Sequence, residues 1–522
     1  MTTDAPARPS AARRPRTRRR GPAAAAALAL SATLLLASPG ATNAAPPEES
    51  LLDKWVESGR YALAAGVTYV RYTERETTPG RLAKRELNVV IADPALGATR
   101  LESTVGGAAA TAETVASQLA AVKPERPLAG INASFFKPEP PHGGSIQFGG
   151  TAVRDGQVNG TGCLNGNQAA VLQHGLPYIS TLRATVTLQV LDASGAVVTE
   201  RLLDDVNRDP GRGVGCARGS GDVKKEIAYD PTDPDDTTTV FVDGDELVAF
   251  NDSYDLATPA KNRDTHAEVT TDDEAGYEVA VDGAGTFTLP TDGGGQWVEG
   301  RGGKHVATGG FVLQAVGADA KQWLRTQLTA GRTLQLRNQV EDLEFPEHHI
   351  ALDESVDIVS GLAHRLLDDG APTESKTCAR AYDKNGAKVT RDGGPDIALG
   401  DHCKDARTAL GTDARGRTVM ATISGRRDVP AAPTGYSDLS GVDGAFLPEF
   451  AGILKLPELG VIDAINLDGG GSTTLYTESK RQTGMTDIAK QPDGTYRRVE
   501  RPVADAVYLT RGGYAVPGGS LP

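Results

Sequence analysis

Cysteine is scarce in this 522-residue chain: Cys163, Cys216, Cys378 and Cys403 are all it has, and no two are spaced Cys-x-x-Cys. That spacing excludes the usual cysteine zinc and dithiol redox motifs. Positive charge is in deficit, with 54 Lys and Arg against 68 Asp and Glu and a formal net charge of −14. An acidic surface argues against nucleic acid or an anionic membrane as the main partner. It leaves room for an anionic substrate wherever arginine or backbone amides focus positive potential. The apolar run at 23–36 is short for a membrane span. It follows Arg13, Arg14, Arg16, Arg18, Arg19 and Arg20 and precedes the small residues Thr42-Asn43-Ala44-Ala45. A basic stretch, a short apolar core and a small-residue cleavage site read as a secretory signal peptide over 1–45. The arginine pairs leave the Sec and twin-arginine routes both open. Removing 1–45, which holds seven Arg and one Asp, takes the formal charge to −20. The expectation is a secreted, extracellular protein of bacterial-type export, with no stable membrane insertion after cleavage. Four cysteines then suit two disulfides; three pairings are possible, and Cys163–Cys216 with Cys378–Cys403 is favoured because each closes a loop within its own region.

What the chain does have is a concentration of chemistry at 464–476, Ala-Ile-Asn-Leu-Asp-Gly-Gly-Gly-Ser-Thr-Thr-Leu-Tyr. The apolar alternation before Asp468 predicts a buried strand, and the β-branched and aromatic residues after Ser472 predict a second. Gly469, Gly470 and Gly471 allow a tight bend and close approach to a ligand. Asp468 stands at a strand end, Ser472 and Thr473 supply hydroxyls, and successive amides can form an anion-binding concavity. A nucleotide P-loop is excluded, because no lysine follows the glycines and no helix is predicted. A glycine turn satisfied by its own aspartate is the bland reading. A carboxylate, three glycines and three hydroxyls within seven residues favour a site.

These residues resemble the phosphodiester glycosidase domain family, whose lysosomal member removes N-acetylglucosamine from a sugar-1-phosphodiester. Arg407-Thr408-Ala409-Leu410-Gly411 is similar to that family's Arg-Thr-Ala-x-Gly motif, and Gly444 with Leu447-Pro448-Glu449-Phe450-Ala451 to its Gly-x-x-Leu-x-Glu-x-Ala segment. Upstream, Asn132-Ala133-Ser134-Phe135-Phe136 resembles Asn-Gly-x-Phe-Phe, with Ala133-Ser134 in place of the glycine-rich pair. Arg501-Pro502-Val503-Ala504-Asp505 resembles Arg-Pro-Val-x-Asn, with Asp505 replacing Asn. The resemblance implies an α+β fold: a mixed-sheet catalytic domain interrupted by a β-rich insert. The parts are 46–181 (catalytic, N-terminal part), 182–340 (insert) and 341–522 (catalytic, C-terminal part). Short alternating runs between Asp-, Gly- and Pro-rich turns support the β-rich reading of 182–340. Helices are expected near 51–55, 114–122 and 447–459, and strands at 67–72, 87–92, 418–423 and 501–509.

The implied activity is hydrolysis of a sugar-1-phosphodiester, or a related glycosidic bond, in extracellular or cell-wall glycan. Such a bond has a weakly basic phosphate leaving group, so the demands are to anchor phosphate and to stabilise positive charge at the anomeric carbon. Arg407 and the amides of Gly469, Gly470 and Gly471 suit the first demand; Asp468 suits the second. Glu449 is the other candidate catalytic carboxylate. Asn132, Ser472 and Thr473 are expected to orient the substrate. No cofactor is required by this reading. A divalent cation, Ca or Mg, stays open, because a metal-dependent phosphodiesterase using Asp468 with Asp443 or Asp505 is one alternative. The acidic run 230–236 lacks the ordered alternation of a calcium loop. A non-catalytic glycan-binding envelope protein is the other alternative.

Overall fold

The computed structural model describes residues 50–75, 85–97, 99–123, 126–137, 146–173, 176–210, 216–219, 221–230, 233–242, 244–260, 274–362, 364–373, 405–425, 444–490 and 496–512. The signal segment 1–45, the pair Cys378 and Cys403, and Asp443 lie outside these residues.

An eight-stranded sheet carries the Asp468 loop. Its strands, in spatial order, are Trp55–Ala64, Val67–Glu74, Arg85–Ala92, Thr418–Gly425, Arg407–Asp413, Val461–Leu467, Arg365–Asp368 and Ala371–Pro372. Every neighbouring pair is antiparallel. The period of two in the sequence sorts side chains between its faces. In Thr418–Gly425, Val419, Ala421 and Ile423 join a core under the Leu447–Leu454 helix, which buries Phe450, Ala451 and Leu454 against it. Full burial of a side chain such as Phe450 stabilises by about 2–3 kcal/mol. Met420 points the other way, into a core shared with a five-stranded sheet. That sheet runs Lys480–Arg481, Leu475–Thr477, Ala129–Asn132, Ala506–Arg511, Thr99–Thr104.

A third sheet of seven strands includes Leu176–Leu191 and Thr333–Asp342. These two pair along ten rungs, with Leu182 opposite Asp342 and Ala184 opposite Val340, so the chain enters and leaves 182–340 on neighbouring rungs. Within that segment, Asp205–Val206, Leu247–Asn251, Phe311–Ala315, Tyr277–Val281 and Phe287–Thr288 form another five-stranded sheet, followed by the Ala318–Gln327 helix. Its pairing of Asp205–Val206 with Leu247–Asn251 is parallel, which makes this sheet mixed. One apolar core runs from Val153 and Val171 through Leu188, Val279 and Leu313 to Ile358, so 182–340 shares its interior with residues on either side.

Strands dominate, and four α-helices are present among the described residues, which agrees with the α+β expectation in its coarse form. Two boundaries differ from those predicted. The helix expected over 447–459 ends at Leu454, because Pro457 has no amide to donate to Ile453 and its ring would crowd that carbonyl. The strand expected over 501–509 begins only at Ala506, leaving Arg501 in irregular chain. Among the described residues no helix is long and apolar enough to cross a membrane. Cys163 and Cys216 form a disulfide, as expected.

Candidate active site

The strand Val461–Leu467 delivers Asp468 at its end, and Gly470–Ser472 then form a 3-10 turn. The next strand, Leu475–Thr477, belongs to the five-stranded sheet rather than to the eight-stranded one. The glycine loop therefore crosses between sheets instead of closing a hairpin. Gly470 has φ +58°, and a Cβ there would stand 2.9 Å from the Asp405 carboxylate. A Cβ on Gly471 would stand 2.5 Å from the guanidinium carbon of Arg501, so only glycine lets that arginine lie against the loop.

Most of the loop amides turn inward. Gly469 N donates to Asp468 Oδ1 (3.0 Å) and Gly470 N to Ala406 O (2.7 Å). Ser472 N donates to Gly469 O (3.1 Å) and Thr473 N to Gly470 O (3.2 Å). The positive potential at the loop comes instead from arginine. Besides Arg501, Arg407 reaches it: a Cβ on Gly469 would lie 3.7 Å from an Arg407 terminal nitrogen. Arg407 donates through Nε to Ala445 O at 3.0 Å. Burial pushes its pKa down, while the neighbouring Asp405 charge works in the opposite direction. Arg501 donates to Asp487 Oδ1 at 2.9 Å.

Asn132 is fully buried and its side-chain bonds hold the loop in place. Its Nδ2 donates to the Asp468 carbonyl (2.6 Å), while its Oδ1 accepts from Thr408 Oγ1 (2.8 Å) and from Thr474 N (3.0 Å). The side chain thus ties three segments together: the strand Arg407–Asp413, the glycine loop and its own strand. The Ser472, Thr473 and Thr474 side chains are also fully buried. Their hydroxyl oxygens have no hydrogen-bond partner among the described residues, a condition that calls for water or ligand partners.

Glu449 lies in the first turn of its helix and is half-buried. Its Oε1 accepts from Arg85 Nη1 at 2.7 Å, and the same nitrogen donates to Gly444 O at 3.1 Å. Arg85 also pairs with Glu74. Burial opposes the Arg85 charge, but its bonds to Glu74 and Glu449 outweigh that and raise its pKa. Arg85 and Arg407 share the helix-covered face of the sheet and bind the consecutive carbonyls of Gly444 and Ala445. Arg85, Asp405 and Asp487 escaped the sequence reading. Asp405 stood two residues from Arg407 and was within reach of it; Arg85 and Asp487 carried no local signal.

The two departures from the family motifs meet. Ser134 donates to Asp505 through both N (2.6 Å, to Oδ1) and Oγ (2.8 Å, to Oδ2). Burial pushes the Asp505 pKa up to about 6, against these bonds. Both of its side-chain oxygens are thereby engaged by Ser134. Among the described residues no group of three or more His, Cys, Asp or Glu side chains is placed to hold a metal.

With this geometry in view, residues 275–510 match the phosphodiester glycosidase family model. That match agrees with the resemblance carried by the sequence motifs. The match begins beyond Asn132, and it spans Arg407, Glu449, the Asp468 loop and Asp505. In the solved structures, a Burkholderia pseudomallei K96243 chain named "Putative exported protein" aligns at TM-score 0.61 and 19% identity, covering 89% of this chain and 99% of that one. A hypothetical protein from Synechocystis aligns at TM-score 0.50 and 15% identity, covering 85% of this chain and 62% of that one. The zebrafish N-acetylglucosamine-1-phosphodiester alpha-N-acetylglucosaminidase catalytic domain, auto-inhibited by its pro-peptide, aligns at TM-score 0.32 and 13% identity, with 88% of each chain covered. No curated protein matches the chain. At these identities the first two structures bear on fold alone.

Proposed function

We propose that the chain is an exported hydrolase that cleaves the glycosidic bond of a sugar-1-phosphodiester, of the N-acetylglucosamine-1-phosphodiester kind, in extracellular or cell-wall glycan. Residues 46–181 and 341–522 make up the catalytic domain in this reading, and 182–340 is an insert. The observation that carries it is the closeness of two guanidinium groups, Arg407 beside Gly469 and Arg501 beside Gly471, to the Asp468 loop. They lie within a stretch that matches the family.

The bond from the anomeric carbon to the phosphate oxygen breaks, and its electron pair leaves on the phosphate. Arg407 and Arg501 stabilise that charge, so little proton transfer to the leaving group is needed. Asp468 faces the positive charge developing at the anomeric carbon, and water completes the hydrolysis there with loss of a proton. Glu449 acts through Arg85 and the 444–445 carbonyls, as a positioning residue. Asn132 positions Asp468 through its carbonyl, while the unpartnered hydroxyls of Ser472 and Thr473 are available to water or substrate.

The test is an assay of purified mature protein on N-acetylglucosamine-1-phospho-methyl-mannoside, with and without EDTA, beside Asp468→Asn. Release of free N-acetylglucosamine by the parent protein alone, in both conditions, supports the reading. Equal release by the variant would overturn the role of Asp468, and loss on chelation would favour metal-dependent chemistry.

A further inference from the structure

A buried charge cluster away from the Asp468 loop does not balance. Asp204, Asp205, Glu246, Arg208 and Arg218 are each 5% exposed or less, which sets three carboxylates against two guanidinium groups. Asp205 is fully engaged. One of its oxygens accepts from Thr161 N (3.1 Å), Thr161 Oγ1 (2.8 Å) and Val206 N (2.8 Å), the other from Arg208 Nε (3.0 Å) and Arg218 Nη1. Glu246 takes both terminal nitrogens of Arg208, at 3.2 and 2.8 Å. The Asp204 carboxyl bonds neither arginine. Among the described residues its one hydrogen-bond donor is Leu247 N, 2.6 Å from Oδ2. Its Oδ1 packs directly on Gly219 and leaves no room there for a Cβ.

A buried anion without a cationic partner is the costly member of such a set, so Asp204 is the group that keeps its proton. Burial, with the Glu246 charge beside it, pushes its pKa up to about 7, against the Leu247 amide, Arg208 and Arg201. At Asp205 burial also works upward, but Arg218, Arg208 and the Val206 and Thr161 amides outweigh it and hold that carboxyl down. What Asp204 touches gives its proton a consequence. Gly219 follows Arg218, whose Nη2 donates to Phe148 O (2.8 Å) and Gly149 O (2.9 Å). The Gly149 amide donates to Phe135 O (2.7 Å), and Ala133, two residues before Phe135, accepts the Asp468 amide (2.8 Å). Arg218 N and Gly219 N both donate to Asp222 Oδ2, at 2.7 and 3.2 Å, and Cys216 is bonded to Cys163.

We infer that Asp204 is the proton-sensitive element of a latch: while its carboxyl is protonated, the 216–219 segment holds Arg218 on the Phe148 and Gly149 carbonyls, and ionisation of the carboxyl loosens that hold. An ionised Asp204 stands beside the Glu246 charge with one amide to satisfy it. It gains only by admitting water or by drawing Arg218 away from Asp205, and either change frees the segment. The stability from this carboxyl is fully present below its unfolded value of 3.8 and is lost as pH rises through about 7. The latch is therefore closed on the acid side of neutrality and opens on the alkaline side. It stands apart from the proposed hydrolysis, because it is read without turnover.

The experiment follows reduction of the Cys163–Cys216 disulfide by a phosphine, which needs no thiolate to attack, at pH 6 and pH 8. It is run on the mature protein, on Asp204→Asn and on Asp505→Asn, with the bridge assigned by peptide mass. Hydrogen exchange of the parent over 146–150 and 216–222, corrected for intrinsic rate, is read alongside. The ionised fraction of a group titrating near pH 7 rises about tenfold over this interval, and a similar rise in reduction rate is expected of the parent and of Asp505→Asn. Asp204→Asn should be reduced slowly at both pH values, and protection of both parent segments should fall at pH 8. A parent rate that ignores pH, or parent protection that holds at pH 8, would overturn the inference even if Asp204→Asn failed to fold. An undiminished rise in a folded Asp204→Asn would overturn it as well.

Discussion

Position 505 shows how much one atom type decides in this site. The carboxylate of Asp505 is buried and takes both of its side-chain partners from Ser134, and burial still lifts its pKa from 3.8 to about 6. A folded-state pKa above the unfolded one means that the native chain binds the proton more tightly. The stability from this group is therefore fully present below about pH 4 and is lost as pH rises through 6. Asp505→Asn removes that penalty and restores the residue of the family pattern. The variant should be more stable than the parent at pH 7.5 by roughly 3 kcal/mol and should lose the advantage towards pH 4, as read by denaturant melts across pH. At the same scale, Arg407→Ala and Arg501→Ala should each lower kcat/KM on a sugar-1-phosphodiester by about 100-fold or more, the size usual for losing a charge-stabilising donor. Glu449→Gln should cost less, because Arg85 keeps its Glu74 partner.

The elements that matter most are the two strand ends joined by the glycine loop. Asn132→Ala would strip partners from the Asp468 carbonyl, the Thr408 hydroxyl and the Thr474 amide together. Each unsatisfied buried group costs about 1–3 kcal/mol, so a loss of roughly 3 kcal/mol or more is expected in chemical denaturation. Gly471→Ala places a methyl on the Arg501 guanidinium and should impair turnover without a comparable loss of stability, seen as reduced kcat at near-parental melting temperature. Strands such as Val67–Glu74 and Arg85–Ala92 were legible, because their apolar and β-branched residues read directly as sheet. The bend between two strands at Gly469–Gly471 was legible for the same local reason. What adjacent sequence could not reveal was that Leu475–Thr477 pairs with Ala129–Asn132 rather than folding back on Val461–Leu467. Asn132, 336 positions from Asp468, bonds across that junction. The same distance hid Arg85, 364 positions from the Glu449 it binds.

Across the whole molecule, the 182–340 segment is tied to its surroundings by a shared core and a buried charge network. Arg208 bonds Asp205 and Glu246, and Arg218 bonds Asp205 as well as the carbonyls of Phe148 (2.8 Å) and Gly149 (2.9 Å). Arg218 follows Cys216 by two residues, so the Cys163–Cys216 disulfide, with a sequence separation of 53, holds the arginine near its partners. Replacing both cysteines by alanine should cost about 2–4 kcal/mol, read as a lower melting temperature. The central claim concerns which bond breaks. Hydrolysis of N-acetylglucosamine-1-phospho-methyl-mannoside in oxygen-18 water tests it most directly, with both products weighed by mass spectrometry. Attack at the anomeric carbon predicts the heavy oxygen in N-acetylglucosamine and none in the phosphate monoester. Heavy oxygen in the phosphate would mean attack at phosphorus and would contradict the account.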